Sequence, residues 1–372
     1  MTTEKRIVEA LRRVMHPEFK RDLVSLGMIK DITSRESGVV ITLALPFKHV
    51  PVKDDLVEAV RTAVTSVDPD LDVMIEVVEM SQRERVAFMT EAEGGPKAAQ
   101  AANEIRHVVA VLSGKGGVGK SSVAALLAVA LNRAGRRVGV LDADITGPSQ
   151  PKIFGLHQRP EGGPAGILPV ETGQGVKLMS INLLLPSEDE AVIWRGPLIS
   201  SAIKQFWDEV MWGQLDYLVV DLPPGTSDAS LTVMQSIPLS GIVLVTSPQD
   251  LAGMVVRKAA RMAEQMGAPI LGLVENMSYA TCPECGARIE VFGPSQAGYT
   301  VTELGVPLLG RIPLDPELSH HCDVGRIEGY ATAAFDPIAE QVIERLAVDE
   351  VSGDDAFGDD GSGKRGSGKG KA

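Results

Sequence analysis

The feature that most constrains this chain is a glycine-rich segment, GKGGVGKS, at 114–121. It matches the pattern G-x-x-x-x-G-K-[ST], and it lies between an apolar run, HVVAVLS, and a stretch with helical spacing. Glycines let a backbone approach phosphate without a Cβ in the way. Successive N–H groups and the positive end of the next helix then form an anion site. The segment therefore predicts a phosphate-binding loop between a strand and a helix.

The same segment supplies candidate ligands for ATP and Mg²⁺. We expect the Lys120 ammonium to reach the β- and γ-phosphates and the Ser121 hydroxyl to ligate Mg²⁺. The other expected nucleotide contacts are Gly114, Lys115, Gly116, Gly117, Val118, Gly119 and Ser122. The alternative is a glycine-rich turn without a ligand, which the full match and its context disfavour.

Apolar runs alternate with helical stretches from residue 105 onward. The strand candidates are HVVAVLSG, RRVGVLDAD, LDYLVVDLP, GIVLVTSP and PILGLVENM. Runs this apolar are typical of parallel strands buried on both faces. Alternation with helices, such as 120–134, 251–267 and 337–347, predicts a doubly wound, mostly parallel α/β sheet over 105–348.

The residues before and after this region differ in pattern. Residues 1–80 predict a small α+β domain in the order αββαβ, with helices over 3–15 and 51–66, a hairpin turning at ESG, and a strand over 71–79. The polar stretch 81–104, which contains GGP, predicts a linker that is helical towards its end. The Gly/Ser/Asp-rich residues 349–372 predict a disordered tail.

Acidic residues follow two of the predicted strands. Asp142 and Asp144 occur in LDADITGPS, and Asp221 ends the strand of YLVVDLPPGTSD. The carboxyl ends of parallel strands meet at one edge of a sheet, so Asp221 is the candidate to hold Mg²⁺ together with Ser121. Gly225 is expected to offer its N–H to the γ-phosphate. For the first pair, the alternative is a set of acidic caps on a turn.

The cysteines form one close pair, Cys282 and Cys285 in YATCPECGAR, and a distant third, Cys322 in SHHCDVG. Three cysteines cannot make a disulfide framework for a chain of 372 residues. The pair suits half of a zinc site, half of a [4Fe–4S] site or a redox dithiol, the last disfavoured because the pair does not begin a helix after a first strand. A two-fold dimer would bring two pairs together and give four thiolates. We expect His320, His321 and Cys322 to lie in an ordinary loop.

Composition and charge limit the classes of molecule that this chain is expected to bind. A net charge of −13 disfavours a general nucleic-acid binder, which needs a basic face for phosphates. No apolar run reaches the ~18 residues of a membrane helix. The charged start, MTTEKRIVEALRRV, lacks the apolar core of a signal peptide. We therefore expect a cytoplasmic protein with neither nucleic acid nor membrane as a partner.

Taken in order, KGGVGKSS, DADITGPS, VVDLPPGTSD and ENMSY followed by CPECG resemble the Mrp-type ATP-binding iron–sulfur cluster carriers. The resemblance covers about 105–347 and implies a MinD/ParA-like P-loop fold. It also implies a homodimer with slow ATPase activity, which binds a labile [4Fe–4S] cluster through Cys282 and Cys285 of each subunit and transfers it to apo client proteins. Residues 1–80 resemble the MIP18-type domain, with His16-Pro17-Glu18 in place of its acidic-Pro-Glu signature.

The resemblance also implies roles for single residues. Lys115 matches the extra lysine of the deviant Walker A loop, which reaches across a dimer to the partner's nucleotide. Asp144 takes the role of positioning the attacking water, so that Lys115, Lys120 and Asp144 are the expected catalytic residues. Asp142 would support the Mg²⁺ shell or bond the phosphate loop, and Asn276 would read the adenine edge. The alternatives are a MinD/ParA-like positioning ATPase and a zinc-bridged nucleotide-binding dimer.

Overall fold

An eight-stranded sheet forms the centre of the larger part of the chain. The computed structural model describes residues 3–17, 19–34, 38–46, 52–69, 71–92, 102–163, 166–187, 194 and 196–354. The strand order is β15-β12-β11-β4-β10-β5-β9-β8, and all neighbours pair in parallel except β8 and β9. The strands are β4 (Glu104–Ser113), β5 (Val138–Asp142), β8 (Val170–Glu171), β9 (Lys177–Met179), β10 (Gln214–Asp221), β11 (Gly241–Thr246), β12 (Ile270–Glu275) and β15 (Leu308–Arg311).

Helices cover both faces of this sheet. Alternate residues of β4 point to opposite sides, so that Val109 and Val111 join one apolar core whereas Ala110 and Leu112 join the other. The doubly wound, mostly parallel α/β architecture predicted from the sequence is confirmed. The helices are α4 (Lys120–Arg133), α5 (Gln150–Phe154), α6 (Gly196–Glu209), α7 (Asp228–Ser236), α8 (Asp250–Gln265), α9 (Ala297–Leu304), α10 (Pro316–Asp323) and α11 (Asp336–Asp354).

Short elements complete the larger part. Two small hairpins pair β6 with β7 and β13 with β14. They comprise β6 (Gly162–Gly163), β7 (Gly166–Ile167), β13 (Ala280–Thr281) and β14 (Arg288–Ile289), and 3₁₀ turns span Ile181–Leu183 and Ile327–Gly329.

A separate three-stranded sheet lies in the N-terminal part. Strands β1 (Ile29–Ser34) and β2 (Gly38–Leu45) are antiparallel, and β2 pairs in parallel with β3 (Asp72–Glu79). Helices α1 (Thr3–Leu11) and α2 (Lys53–Thr65) supply apolar side chains to its core. The αββαβ order is as predicted, although the first helix ends at Leu11 rather than residue 15. Most of the predicted hairpin turn and Glu18 of the His-Pro-Glu segment lie outside the described residues.

The predicted linker over 81–104 begins with a helix, α3 (Gln82–Ala92), whereas the sequence indicated helix only towards its end, where residues 93–101 lie outside the described residues. The Ser81 backbone N–H donates to the Glu84 carboxylate at 2.7 Å, and the Glu84 N–H donates to Ser81 Oγ at 3.4 Å. This is a capping box, which satisfies two end groups of the helix. Phe88 is buried in the N-terminal core, and the Arg85 guanidinium donates to the Met266 carbonyl at 2.5 Å. The helix therefore packs as part of the folded structure, which corrects the linker prediction at its start.

The last helix continues through Asp354, past the predicted end at residue 347 and into the stretch predicted to be a disordered tail. Residues 355–372 lie outside the described residues. None of the helices that the structure describes combines the length and the apolar character needed to cross a bilayer.

Candidate nucleotide site and cysteine knuckle

The glycine-rich loop lies at the carboxyl edge of the sheet, between β4 and α4. Gly117 and Gly119 have φ values of +79° and +76°, which side chains with a Cβ rarely adopt. Gly114 packs directly on the backbone of α8, because a Cβ there would lie 2.3 Å from the Val255 carbonyl carbon. These positions need glycine for backbone conformation or for close packing, as the motif predicts.

Two carboxylates face this loop from adjacent strands. Asp142 and Asp221 are register partners at the ends of β5 and β10, and both are fully buried. The Lys120 ammonium contacts Asp221 Oδ1 and lies 3.3 Å from Ser121 Oγ. The fold thus brings together the lysine, the hydroxyl and the strand-end carboxylate that the sequence singled out.

Asp142 holds the loop that follows its own strand. Its carboxylate accepts hydrogen bonds from the backbone N–H groups of Asp144, Ser149 and Gln150 at 3.2, 2.9 and 3.0 Å. Burial, together with the nearby Asp221 charge, raises the pKa of Asp142 above its usual range. In this structure Asp142 therefore acts on the loop backbone and makes no described hydrogen bond to the phosphate loop.

Asp144 is more exposed than Asp142 and lies in the same loop. Its Oδ1 atom accepts hydrogen bonds from Thr146 Oγ1 and from the Gly147 N–H, both at 3.1 Å. These contacts orient the carboxylate within its turn. Its expected role towards an attacking water remains a prediction.

Sequence reasoning missed Gln150, although it is fully buried in this site. Its Nε2 atom donates to Asp221 Oδ2 at 2.7 Å and to the Ser121 carbonyl at 3.0 Å. Its Oε1 atom has no hydrogen-bond partner among the described residues. The sequence does not show that a polar side chain is buried. The one signal for Gln150 was its position in the loop that follows Asp142 at the end of β5.

The oxygen-rich surroundings fit Mg²⁺. Hard cations prefer carboxylate and hydroxyl oxygens, and Asp221 and Ser121 supply one of each beside Lys120. The Gln150 Oε1 atom adds a polar group without a described partner to the same cluster. A bound Mg²⁺ would neutralise negative charge on nucleotide phosphates.

The extra lysine is bonded to a residue outside the loop. Lys115 is half-buried, and its Nζ atom donates to Gln249 Oε1 at 2.7 Å. Gln249 precedes α8 at the same edge of the sheet and was also missed by sequence reasoning.

Gly225, the expected γ-phosphate contact, has a φ of +78°, and its N–H donates to the Ser113 carbonyl at 2.8 Å. A contact of that N–H with a γ-phosphate would require this bond to break, so the proposed role of Gly225 remains untested.

Asn276 follows β12 and is buried against the phosphate loop. Its Nδ2 atom donates to the Val118 carbonyl at 2.9 Å, and its backbone N–H donates to Thr246 O at 2.9 Å. A Cβ on Gly119 would lie 2.2 Å from Asn276 Nδ2. The structure therefore places Asn276 on the loop backbone, and its expected contact with adenine remains a prediction.

The cysteine pair lies at the surface in the loop of the β13–β14 hairpin, and the segment that contains this hairpin, residues 279–294, is here called the knuckle. The Cys282 N–H donates to Ala287 O, and the Gly286 N–H donates to Cys282 O, both at 2.9 Å. Cys285 is exposed and Cys282 is half-buried. Hydrogen bonds from the Cys285 and Glu284 backbone and from the Cys285 thiol hold the pKa of Cys282 below its ordinary value. Both thiols are therefore accessible from solvent, on a turn shaped by backbone amides.

Cys322 lies elsewhere, on α10. Its Sγ atom is 3.8 Å from Ser122 Oγ, and burial raises the pKa of this thiol. His320 and His321 lie on the same helix, and not in a loop as predicted, because Asp315 caps it by accepting the Glu317 N–H at 2.8 Å. Across the described residues, no three or more His, Cys, Asp or Glu side chains converge as a metal site.

Comparison with known proteins agrees with this arrangement. The family model of the NUBPL iron-transfer P-loop NTPases matches residues 104–347, and a model described as iron-sulfur cluster assembly protein matches residues 4–77. An iron-sulfur cluster carrier protein of Synechocystis is 37% identical over 359 residues, covering 94% of this chain and 99% of that protein. One of Methanocaldococcus jannaschii is 46% identical over 250 residues, covering 66% of this chain and 86% of that protein.

A solved structure is similar as well. It is a nucleotide-binding protein of Archaeoglobus fulgidus in complex with ADP, with a TM-score of 0.55 and 46% identity, and it covers 61% of this chain and 89% of that chain. The match over residues 104–347 spans well over half of the 372 residues. With its phosphate loop, strand-end carboxylates and knuckle in place, the chain belongs to the NUBPL iron-transfer P-loop NTPase family.

Proposed function

We propose that this chain is an ATP-hydrolysing iron–sulfur cluster carrier that works as a homodimer. Its cargo would be a labile [4Fe–4S] cluster, held by Cys282 and Cys285 of both subunits and passed to apo client proteins. The observation that carries the proposal is the knuckle, a segment that begins four residues after β12 and presents two accessible thiols. The names of the relatives support the carrier function.

The need for two subunits follows from ligand number. A [4Fe–4S] cluster commonly takes four cysteines, and one knuckle offers two. Two knuckles related by a two-fold axis would supply four thiolates. A cluster bound in this way lies at the surface between subunits, where it is accessible to a client protein. Both properties favour delivery over permanent storage.

The nucleotide chemistry would use residues already in contact. Lys120 would exchange Asp221 for the β- and γ-phosphates, and Asp221 with Ser121 would then hold Mg²⁺. Asp144 would orient the attacking water. Lys115 would leave Gln249 to reach the partner's nucleotide. Breaking this hydrogen bond would cost little free energy, because the bond is exposed and water can replace it. We further propose that residues 1–80, together with α3, form a small domain in front of an ATPase domain over 105–348.

The decisive experiment is anaerobic reconstitution of the full chain with iron and sulfide. We expect the visible absorbance of an iron–sulfur cluster, four iron atoms per dimer, and loss of both in Cys282→Ala and Cys285→Ala. Cys322→Ala is the matched control and should retain the cluster, because its thiol contacts Ser122 rather than the knuckle. Zinc retained by the wild type with no iron bound would overturn the proposal in favour of a zinc-bridged dimer.

Hydrolysis is tested separately by phosphate release. We expect slow release that is abolished in Lys120→Ala, because the ammonium that would bind the phosphates is removed. Release at the wild-type rate from this variant would exclude the assigned site. Transfer to clients is tested by activation of an apo iron–sulfur enzyme, with the Cys282→Ala chain as the negative control.

A further inference from the structure

A buried carboxylate at the end of β12 has no part in the nucleotide chemistry described above. Glu275 is fully buried, and its oxygens accept hydrogen bonds from Ser278 Oγ at 2.5 Å and Ser295 Oγ at 2.7 Å. They also accept from the Ala297 N–H at 3.1 Å and Arg311 Nε at 3.2 Å. We call this set of five residues the Glu275 clasp. All its donors converge on one side chain.

Two donors of the clasp, Ser278 and Ser295, flank the knuckle in the sequence. Ser278 directly precedes residue 279, where the knuckle begins, and Ser295 directly follows residue 294, where it ends. Ala297 is the first residue of α9. The segment that carries both cysteines therefore leaves the body of the protein and returns to it at a single carboxylate.

The neighbouring residue joins the clasp to the phosphate loop. Asn276 donates to the Val118 carbonyl at 2.9 Å, and there is no free space between its amide and Gly119. Its backbone N–H is fixed on Thr246 O. Residues 275–278 thus touch the phosphate loop on one side and both ends of the knuckle on the other.

A second set of backbone bonds fixes the base of the knuckle to the segment after β15. The Ile312 N–H donates to Glu275 O at 2.9 Å, and the Ser278 N–H donates to Ile312 O at 2.9 Å. The Leu314 N–H donates to Tyr279 O at 2.7 Å. The base is therefore held in register by main-chain bonds, while the side-chain clasp sets how the two ends of the knuckle meet.

We propose that Glu275 is a positioning residue that couples the phosphate loop to the cysteine knuckle. This coupling rests on the proposed function, and it is the means by which nucleotide regulates the cysteine knuckle. Nucleotide bound at the loop displaces Val118 and Gly119, Asn276 follows, and Glu275 transmits the shift to both ends of the knuckle through Ser278 and Ser295. Coupling between two sites is reciprocal, so metal on the thiols alters nucleotide affinity by the same factor.

The test measures thiol accessibility and needs neither cluster nor hydrolysis. In a full-length Cys322→Ser background the knuckle holds the only cysteines. We would measure their rate of alkylation by N-ethylmaleimide in the metal-free protein, with and without saturating ADP. ADP is expected to change the rate at least about 5-fold, the lower end for coupled sites. Ser295→Ala and Glu275→Gln are expected to reduce this ADP effect below about 2-fold.

Controls separate coupling from folding. Thr302→Ala removes a hydroxyl of α9 that donates to Gly298 O at 2.8 Å and does not touch Glu275, so this variant should keep the full ADP effect. Ser295→Ala should bind ADP within about 3-fold of the parent, since Ser295 makes no contact with the phosphate loop among the described hydrogen bonds. Ser295→Thr restores a hydroxyl and should restore the ADP effect.

Two results would overturn the proposal. One is an alkylation rate in the parent chain that ADP does not change, and the other is an undiminished ADP effect in Ser295→Ala. If Glu275→Gln unfolds, the paired Ser295 variants still decide the outcome. Failure of the carrier function would appear instead as absence of iron after reconstitution, a result that this assay does not depend on.

Discussion

Replacing Gly119 with alanine tests the contact between the phosphate loop and Asn276. A Cβ at this position would lie 2.2 Å from Asn276 Nδ2 and 3.3 Å from Met277 Cε. The loop also contains a matched control, because Gly117 has nearly the same φ, +79° against +76°, yet its Cβ would meet no atom within 4 Å. Gly117→Ala therefore reports backbone strain alone, whereas Gly119→Ala reports strain together with displacement of Asn276.

The expected magnitudes follow from these contacts. Alanine in a left-handed conformation costs about 1–2 kcal/mol. At Gly119 the Asn276 side chain must also give up its 2.9 Å bond to Val118 O, a buried carbonyl acceptor. Leaving such a group unsatisfied costs about 1–3 kcal/mol. We therefore expect Gly119→Ala to lower the free energy of unfolding by about 2–5 kcal/mol, and Gly117→Ala by about 1–2 kcal/mol.

The assay is urea unfolding of the nucleotide-free chain, followed by fluorescence of Trp207 and Trp212, which are buried beside the sheet. A double-mutant cycle isolates the clash, because Asn276→Ala removes the group that the new methyl would meet. Gly119→Ala should cost at least about 1 kcal/mol less in that background. Equal losses for the two glycine variants, or additivity within about 0.3 kcal/mol, would refute the reasoning.

Two further predictions concern other parts of the fold. Arg137 holds the pKa of Asp216 at about 2, below the ordinary 3.8. The ionised Asp216 carboxylate therefore stabilises the fold above pH 3.8, and this stabilisation is lost as pH falls towards 2. Asp216→Asn should therefore lower the free energy of unfolding at pH 6 by roughly 1 kcal/mol and by less at pH 3, and an equal loss at both pH values in urea titrations would contradict this. Arg85→Met should cost about 1–3 kcal/mol, since the Met266 carbonyl loses its donor, and an unchanged thermal midpoint would count against that contact.

The sequence predicted the site best where covalent order and sheet geometry determine position. Asp142 and Asp221 each end an apolar run, and parallel strands bring such ends to one edge, where the two residues are register partners. The phosphate loop was likewise recognisable, because its glycines are required by backbone conformation. Helix α3 was predictable in principle from the capping box of Ser81 and Glu84, but its polar composition favoured a linker.

The sequence could not reveal hydrogen-bond partners that come together only because loops fold back onto the edge of the sheet. Gln150, Gln249 and Glu275 are ordinary polar residues at strand or loop ends. Apart from Ser278, which is close to Glu275 in the sequence, their side-chain partners lie between 20 and 134 positions away. Burial of Glu275 in particular requires donors from both ends of the knuckle, whose approach no local pattern encodes. Polar residues just beyond the carboxyl ends of parallel strands were the one available signal.

The hydrogen bonds around the phosphate loop differ in how easily water can replace them. The bond between Lys115 and Gln249 is exposed, so water can replace it at a net cost of only about 0.5–1.5 kcal/mol. Asn276 and Glu275 are buried, and a shift that broke their bonds would leave polar groups without water. A displacement of the loop therefore frees Lys115 readily but moves Asn276 and Glu275 as a unit. For this reason the buried contacts, and not the exposed lysine, are the ones able to carry a nucleotide-dependent change to the knuckle within one subunit.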